Sequence, residues 1–323
     1  MINKNFNIFN NINSKDLFSL KVPATAANLG SGFDTLGMAF NLYNIFNIKK
    51  ILRPGEFKCV TSGEGTEELS DVKDNMLITS YLKACSEWNV KDALGFELES
   101  CNAVPFCRGL GSSSTAVVAG VLFANLINKL NISEPELLRM MTLIEGHPDN
   151  VAPCFIGGMV ASCWDPDAKT LKYVKLPALP DDLYVIAAVP DFKVQTEEAR
   201  KILPSSVPFK DAVFNVSHAA LLCAAWATGR WDLLKTGMDD KLHQAYRAKL
   251  FPGGEKILEN IKNYKDCLAV AISGSGPTMI AIVKGKAGDL ASEMCRIFTA
   301  GGVSSHFFIL NCAPDGVIVE VNN

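Results

Sequence analysis

The strongest constraint in the sequence is a glycine- and serine-rich stretch, Gly109 to Ser114, which we call the glycine loop. Phe96 to Val104 before it alternates like a half-buried strand, whereas Thr115 to Leu130 after it has the apolar spacing of a helix. Glycines let the backbone approach a ligand closely, and the N–H groups that open a helix bind phosphate. The chain is therefore predicted to contain a strand, loop and helix unit suited to a phosphate group.

The glycine loop does not match the common nucleotide-binding signatures. No G-x-x-x-x-G-K-[ST] occurs in the chain, and the loop is not a G-x-G-x-x-G dinucleotide turn after a first strand. The hydroxyls of its three serines and of Thr115 can add hydrogen bonds to phosphate or help to hold a metal ion. The same letters are also typical of an ordinary loop that opens a helix with serine caps.

Two further stretches place polar or glycine residues beside apolar segments. Ser273 to Thr278, the second glycine turn, predicts either a turn whose N–H groups face something negative or a plain hairpin turn. Glu145 to Asn150 crowds four polar or ionisable side chains into a short segment, and a carboxylate near a phosphate site is a ligand that Mg²⁺ prefers. A solvated turn at a helix end, with His147 in a structural role, is the alternative.

The composition excludes several classes of protein. A net charge of −3 lacks the excess of Lys and Arg that nucleic acid binding needs, so no nucleic acid partner is expected. No apolar run reaches the roughly 18 to 20 residues of a membrane span, so no membrane association is expected either. The ten cysteines are scattered without a C-x-x-C pair, which is typical of reduced thiols and predicts a cytoplasmic location.

The apolar pattern mixes strands and helices, which predicts an α+β fold. Residues 1 to 17 are Asn-rich and lack the apolar stretch of a secretory signal, so a weakly ordered extension is predicted there. Pro177 to Asp182 marks a predicted boundary near residue 180, and Ser133 with Glu136 predicts a capping box. Strands are expected within 17–51 and at 96–104, 158–163, 183–189, 269–283 and 316–321; helices at 74–88, 115–130, after 133, and at 211–228, 233–245, 254–263 and 287–300.

Four stretches, in order along the chain, resemble the motifs of one superfamily. They are Val22 to Asp34 (V-P-A-T-A-A-N-L-G-S-G-F-D), Arg108 to Ser114, Glu145 to Pro153 (E-G-H-P-D-N-V-A-P) and Ser273 to Thr278. Together they resemble the superfamily of galactokinase, homoserine kinase, mevalonate kinase and phosphomevalonate kinase, abbreviated GHMP, over roughly residues 18 to 321. The first and third are similar to its homoserine kinases in particular.

This resemblance implies a two-lobed GHMP kinase fold, with an N-terminal lobe like domain 2 of ribosomal protein S5 and a ferredoxin-like C-terminal lobe. The implied domains are 18–180, which binds ATP, and 181–323. ATP and Mg²⁺ are the implied cofactors, with adenine near Asn75 and the metal ion on the Ser113 hydroxyl and the Glu145 carboxylate. The implied phosphate-binding residues are Arg108, Gly109, Leu110, Gly111, Ser112, Ser113 and Ser114.

The resemblance also implies a substrate, L-homoserine, which is phosphorylated on the way to threonine. Its ammonium group can pair with Asp34, and its carboxylate can be held by an arginine in bidentate fashion. The implied substrate-binding residues are Asn28, Asp34, His147, Arg200, Arg247 and Gly274.

The implied mechanism has no side-chain base. Mevalonate kinase-like relatives place an aspartate where this chain has Asn150, and an amide cannot act as a general base. Positioning and charge neutralisation then dominate, with Glu145 on the metal ion and with Asn150 and Thr196 near the path of the hydroxyl proton. Many members read S-S-A-A after the second glycine of the loop, where this chain has Ser112 to Thr115, a difference expected to change local packing only.

Two other functions remain open at this point. A kinase for another small alcohol such as mevalonate is disfavoured by Arg200, Arg247 and Asn150, and a catalytically silent ligand sensor is disfavoured by Ser113 and Glu145. Kinases of this group often pair, so a homodimer is expected.

Overall fold

The computed structural model of the protein describes residues 17–66 and 74–322. The extension predicted for residues 1 to 17 lies outside this part, apart from Leu17, which begins the first strand. Helices and sheets alternate along the whole described chain, and the predicted α+β class is confirmed.

The first sheet is built around a long antiparallel hairpin. Its apolar residues alternate along the strands, so that Leu20 and Phe46 lie opposite each other and both are buried. Among the strands of residues 17–66 and 74–322, only the pair of β3 and β4 is parallel. The strand order is β11 (Ile318–Asn322), β1 (Leu17–Ala27), β2 (Leu36–Leu52), β4 (Gly95–Asn102) and β3 (Phe57–Gly63), while β5 (Met159–Asp165) pairs with β2 and β6 (Thr170–Leu176) pairs with β5.

Four helices pack on one face of this sheet, and the second of them is central. It is apolar on nearly every side, which is typical of a helix surrounded by protein, and the three other helices contact it. This helix begins at the glycine loop, so its packing holds the loop in place. The helices are α1 (Met76–Glu87), α2 (Ser112–Ile127), α3 (Glu134–Glu145) and α4 (Pro148–Ile156).

The second sheet has four antiparallel strands in the order β10, β7, β9, β8. With its main helices it follows the β-α-β-β-α-β sequence of a ferredoxin-like lobe. The strands are β7 (Leu183–Pro190), β8 (Cys267–Ile272), β9 (Met279–Lys284) and β10 (Ser305–Leu310); the helices are α5 (Thr196–Lys201), α6 (Phe209–Thr228), α7 (Leu234–Gly237), α8 (Gln244–Arg247), α9 (Gly254–Asn260) and α10 (Gly288–Ala300).

A shared apolar core joins the two sheets. Met38 and Phe40 of β2 belong to the same buried cluster as Ile280 of β9 and Trp226 of α6. The chain also returns to the first sheet at its end, because β11 pairs with β1. The domain division near residue 180 stays a prediction. Across the described ranges, no helix is both long and apolar enough to cross a membrane.

The prediction of a single helix at 233–245 is wrong, because two short helices, α7 and α8, lie there. α7 ends at Gly237 because the hydroxyl of Ser31 donates to the Gly237 carbonyl at 2.6 Å, which takes the acceptor that a continuing helix would use. The next helix starts at Gln244, after the Asp240 carboxylate accepts the N–H groups of His243 and Gln244 at 2.9 and 2.7 Å. Contacts from distant segments thus divide one apolar pattern into two short helices.

Other local predictions failed for similar reasons. Ser133 precedes α3 as predicted, but its side chain makes no capping bond. The reciprocal half of the capping box is also missing, because the Glu136 carboxylate instead accepts from Arg139 and Trp88. The strands β3, β6 and β10 were not predicted. Their burial patterns contain many exposed positions, so their apolar signal is weak.

The close approach of α1 and α2 gives a stability prediction at Gly120. A Cβ there would lie 2.3 Å from the Leu77 carbonyl oxygen and 3.0 Å from the Tyr81 nitrogen, both backbone atoms that cannot rotate away. We expect Gly120→Ala to lower the free energy of unfolding in urea by about 2 kcal/mol or more. Gly288→Ala, at the open first residue of α10, is the matched control and should be neutral or slightly stabilising. Equal stability of the two variants would contradict this packing.

Candidate active site

A cleft of about 370 Å³ opens beside the glycine loop, and residues of both halves of the chain line it. Leu110, one of the residues predicted to bind phosphate, is fully buried and does not line the cleft. The predicted residues that do line it are Asn28, Asp34, Asn75, Arg108, Gly109, Gly111, Ser112, Ser113, Ser114, Glu145, His147, Asn150, Thr196, Arg200, Arg247 and Gly274.

The glycine loop leads directly into α2, and both of its glycines are sterically required. Gly111 immediately precedes the helix with a φ of 71°, and a Cβ there would lie 2.1 Å from Thr25 Oγ1. A Cβ at Gly109, whose φ is 79°, would lie 2.4 Å from the Ser273 carbonyl oxygen. Because α2 begins at Ser112, the N–H groups of its first turn lack helical partners and lie at the cleft, an arrangement suited to an anion.

The second glycine turn braces the glycine loop. The N–H groups of Gly274 and Thr278 donate to the carbonyls of Ala27 and Arg108 at 3.1 and 3.2 Å, so they do not face an anion as the sequence had suggested. The Ser273 hydroxyl donates to the Gly109 carbonyl at 2.6 Å. The turn therefore holds the loop through hydrogen bonds to its carbonyl groups.

Two residues predicted near the nucleotide use their side chains for local structure. Arg108 donates to the Asp191 carboxylate at 2.9 Å and to the Phe106 carbonyl at 3.3 Å. Asn75 caps α1, because its Oδ1 accepts the N–H of Leu77 at 3.0 Å. Both residues line the cleft, so they shape its wall even though these polar atoms are already paired.

Glu145 lies at the end of α3 and meets a serine of the glycine loop. The hydroxyl that donates to it, at 2.7 Å, belongs to Ser114, whereas Ser113 is exposed at the cleft beside it. Burial raises the pKa of Glu145, although His147 and the Ser114 hydrogen bond act in the opposite direction. A carboxylate and hydroxyl oxygens at one position form a donor set that suits a hard divalent cation.

His147 pairs with Asp149, a residue that the sequence prediction had not assigned to the site. The ring Nδ1 bonds to Asp149 Oδ1, and Asp149 is buried. Burial disfavours the charged imidazolium, but the charge and hydrogen bond of Asp149, together with Glu145, outweigh it and raise the pKa of His147 to about 9. His147 is therefore a cation at neutral pH. Ligand atoms of Asp34, His147 and Asp149 all lie within 4.8 Å of one another, but a protonated imidazole cannot ligate a metal ion, so this group does not suit one at neutral pH.

Asp34 and Arg200 form a two-pronged ion pair at the substrate side of the cleft. Arg200 Nη2 and Nη1 donate to the two carboxylate oxygens at 2.8 and 3.0 Å. The hydrogen bond that Arg200 donates to Asp34 raises the pKa of Arg200, although burial opposes this. The two residues predicted to bind opposite ends of a zwitterion therefore bind each other.

Arg247 and Asn28 meet at one carbonyl of the second glycine turn. Arg247 Nη1 and Asn28 Nδ2 each donate to the Gly274 oxygen at 2.9 Å. Arg247 is buried, and burial together with the charge of Arg200 lowers its pKa to about 10, so it remains charged at neutral pH. Thr196 begins α5 and is exposed at the cleft.

Sequence reasoning missed two residues besides Asp149 that shape the site, Phe33 and Thr25. Phe33 places its ring 5.0 Å from the Arg247 guanidinium and 5.1 Å from the His243 ring. Thr25 donates to Asn150 Oδ1 at 2.8 Å. Thr25 and Phe33 stand within the first motif and Asp149 within the third. Their place in these motifs could have marked them as candidate site residues. Their contacts could not be predicted, because these depend on how distant segments pack.

Comparison with known proteins agrees with this fold. A family model described as the GHMP kinases N terminal domain matches residues 75–158, and one described as the GHMP kinases C terminal matches residues 219–300. The fold is thus that of the GHMP kinases, as the resemblance of the motifs implied. A mevalonate diphosphate decarboxylase from Enterococcus faecalis shares this fold at 14% identity and a TM-score of 0.66, covering 95% of this chain and 99% of that one.

Proteins that are more similar to this chain indicate its family within the GHMP kinases. The chain is 39% identical over 302 residues to a homoserine kinase of Carboxydothermus hydrogenoformans, covering 93% of this chain and 96% of that protein. It is 43% identical over 272 residues to a homoserine kinase of Clostridium beijerinckii, covering 84% and 87%. The crystal structure of homoserine kinase from Cytophaga hutchinsonii superposes with a TM-score of 0.79 at 27% identity, covering 96% and 99%. The chain belongs to the homoserine kinase family.

The pairing of His147 with Asp149 predicts an unusual titration. The pKa of about 9 lies above the ordinary value of 6.5, so the folded protein binds this proton more tightly than the unfolded chain does. The stabilisation is complete below about pH 6.5 and is lost as the pH rises through about 9. We expect NMR titration of the imidazoles, assigned with His147→Gln, to place His147 near 9, and Asp149→Asn to lower this pKa. A wild-type value near 6.5 would contradict the pairing.

Proposed function

We propose that this protein is an ATP-dependent kinase that transfers the terminal phosphoryl group of ATP to the hydroxyl of L-homoserine, yielding O-phospho-L-homoserine for threonine biosynthesis. The observation that carries this proposal is the single cleft that brings the glycine loop, Glu145 and the charged group around Asp34 together. The identity of 39% and 43% to homoserine kinases supports the choice of substrate.

The nucleotide side of the cleft suits a triphosphate. The N–H groups at the start of α2 and the hydroxyls of Ser112 and Ser113 can bind phosphate oxygens. Glu145 with Ser113 or Ser114 would hold Mg²⁺, since a buried carboxylate beside hydroxyl oxygens fits this ion. Bound there, Mg²⁺ would neutralise charge on the phosphates. Gly109 and Gly111 allow the backbone to approach that closely.

The substrate side suits a zwitterion. The Asp34 carboxylate would bind the ammonium group of L-homoserine, while Arg200 and Arg247 would bind its carboxylate. The substrate would then lie between the two partners of the Asp34–Arg200 ion pair. His147 and Asn28 complete this wall. Since Arg200 exchanges one carboxylate for another, its charge stays paired throughout binding.

Catalysis rests on positioning. Asn150 lies at the cleft between the glycine loop and the substrate side, and its amide cannot take a proton. The hydroxyl of homoserine is held in line with the phosphoryl group, and its proton passes to a phosphate oxygen, with Thr196 near this path. A homodimer, a cytoplasmic location and the domain division at residues 18–180 and 181–323 belong to the same proposal.

The substrate proposal has a direct test. Purified protein with Mg²⁺ and ATP should release ADP when L-homoserine is added. It should release no ADP with mevalonate, and none without an acceptor. Release with mevalonate would select the related small-alcohol kinase instead. No release with any acceptor, despite measurable ATP binding, would select a silent ligand sensor.

The role assignment predicts unequal effects at two positions. Glu145→Ala should abolish turnover because it removes the carboxylate that would hold the metal ion. Asn150→Ala should lower turnover only about tenfold, because an amide contributes positioning and no proton transfer. Steady-state rates of ADP release give both numbers. Glu134→Ala, at the other end of α3 where Glu134 accepts from Tyr173, is the matched control. Equal small losses at 145 and 150 would refute the assignment.

A further inference from the structure

Thr25 lies near the end of β1 and reaches the cleft only through a partner. Its hydroxyl donates to Asn150 Oδ1 at 2.8 Å, and its backbone N–H donates to the Leu110 carbonyl at 3.0 Å. Thr25 is fully buried and does not line the cleft, whereas Asn150 does. One residue of the central hairpin thus contacts both the glycine loop and the amide beside it.

In the structure the hydrogen bond from Thr25 holds the oxygen of the Asn150 amide toward β1. A threonine hydroxyl can donate one proton and can also accept, and an amide has one acceptor oxygen and one donor NH₂ group. Because Oδ1 accepts from Thr25, the NH₂ group lies on the other branch, where it finds no protein acceptor within residues 17–66 and 74–322. Gly111 packs closely against this contact, since a Cβ at Gly111 would lie 3.3 Å from Asn150 Oδ1.

We propose that Thr25 is a positioning residue, which holds Asn150 with its NH₂ group turned into the cleft as a hydrogen-bond donor to the oxygens of the reacting groups. This inference rests on the proposed function. Phosphoryl transfer leaves negative charge on the oxygens of the transferred group, and a fixed donor stabilises that charge. A flipped amide would present its carbonyl oxygen to the same charge and repel it. Thr25 itself touches no reacting atom.

The Thr25 hydroxyl can be removed with little change to its surroundings. Thr25→Val keeps the branched shape and the backbone N–H that binds the Leu110 carbonyl, so it loses only the side-chain donor. Thr25→Ser keeps the donor. Ser19 supplies a matched control on the same strand, since its buried hydroxyl donates to Asn47 Oδ1 at 2.6 Å and does not line the cleft.

Steady-state kinetics with ATP and L-homoserine, on the full chain, test the inference. We expect Thr25→Val to lower kcat by about tenfold with both KM values within about twofold, and Thr25→Ser to recover most of the loss. Ser19→Ala should match the wild type. The Thr25→Val, Asn150→Ala double variant should turn over as fast as Asn150→Ala alone, because Thr25 acts only through Asn150. Additive losses, or a loss confined to KM, would overturn the positioning role.

Asn150→Asp supplies a second test that does not depend on how well Thr25→Val folds. The carboxylate keeps an acceptor for Thr25 but replaces the NH₂ group with a negative oxygen, so we expect a lower kcat than that of Asn150→Ala at every pH. A kcat above wild type that rises with pH would identify a need for a base and overturn the inference. If the wild-type protein never releases ADP with L-homoserine, the proposed function is overturned as well. If the wild type is active and Thr25→Val has the same kcat, only the positioning role is overturned.

Discussion

The site depends on the hydrogen bonds that the second glycine turn donates to the carbonyls of Arg108 and Gly109, where the glycine loop begins. The Thr278 N–H donates to the Arg108 carbonyl, and the Ser273 hydroxyl donates to the Gly109 carbonyl. The loop follows a strand of the first sheet, and the turn joins two strands of the second, so these bonds hold the two sheets together at the cleft. A loop braced in this way loses little conformational freedom when a ligand binds, which favours affinity and orientation.

The electrostatics of the cleft explain how so much charge can lie partly buried. Removing ions from water is costly unless each one finds a partner with good geometry. Here the Asp34 carboxylate bonds to a guanidinium and Asp149 bonds to an imidazolium, so most of this cost is offset within the site. A zwitterion can enter such a cleft because it exchanges one paired contact for another. On the substrate side of the cleft these charged groups are the cations Arg200, Arg247 and His147 and the carboxylates Asp34, Glu145 and Asp149.

The central hairpin links these two features. β1 and β2 contribute apolar residues to the core that both sheets share. Thr25 near the end of β1 contacts the amide of Asn150, and Asn28, just after this strand, contacts the carbonyl of Gly274. Packing of the core therefore sets the distances between groups at the cleft. Rigid strands position such groups more accurately than loops do.

The sequence by itself determined the α+β class and most of the long elements, because apolar periodicity acts over a few neighbouring residues. The family and the candidate residues were indicated by the resemblance of four ordered motifs, whereas the contacts that require glycine at Gly109 and Gly111 come from Ser273 and Thr25, which are distant in the chain. The sequence could not determine where a helix with a continuous apolar pattern would end, as α7 does at Gly237, or which serine would donate a hydrogen bond to Glu145. Thr25 and Asn150 are separated by 125 positions, and Asn28 and Gly274 by 246. Only the tertiary structure decided such contacts, because they arise when packed sheets bring distant segments within hydrogen-bond distance.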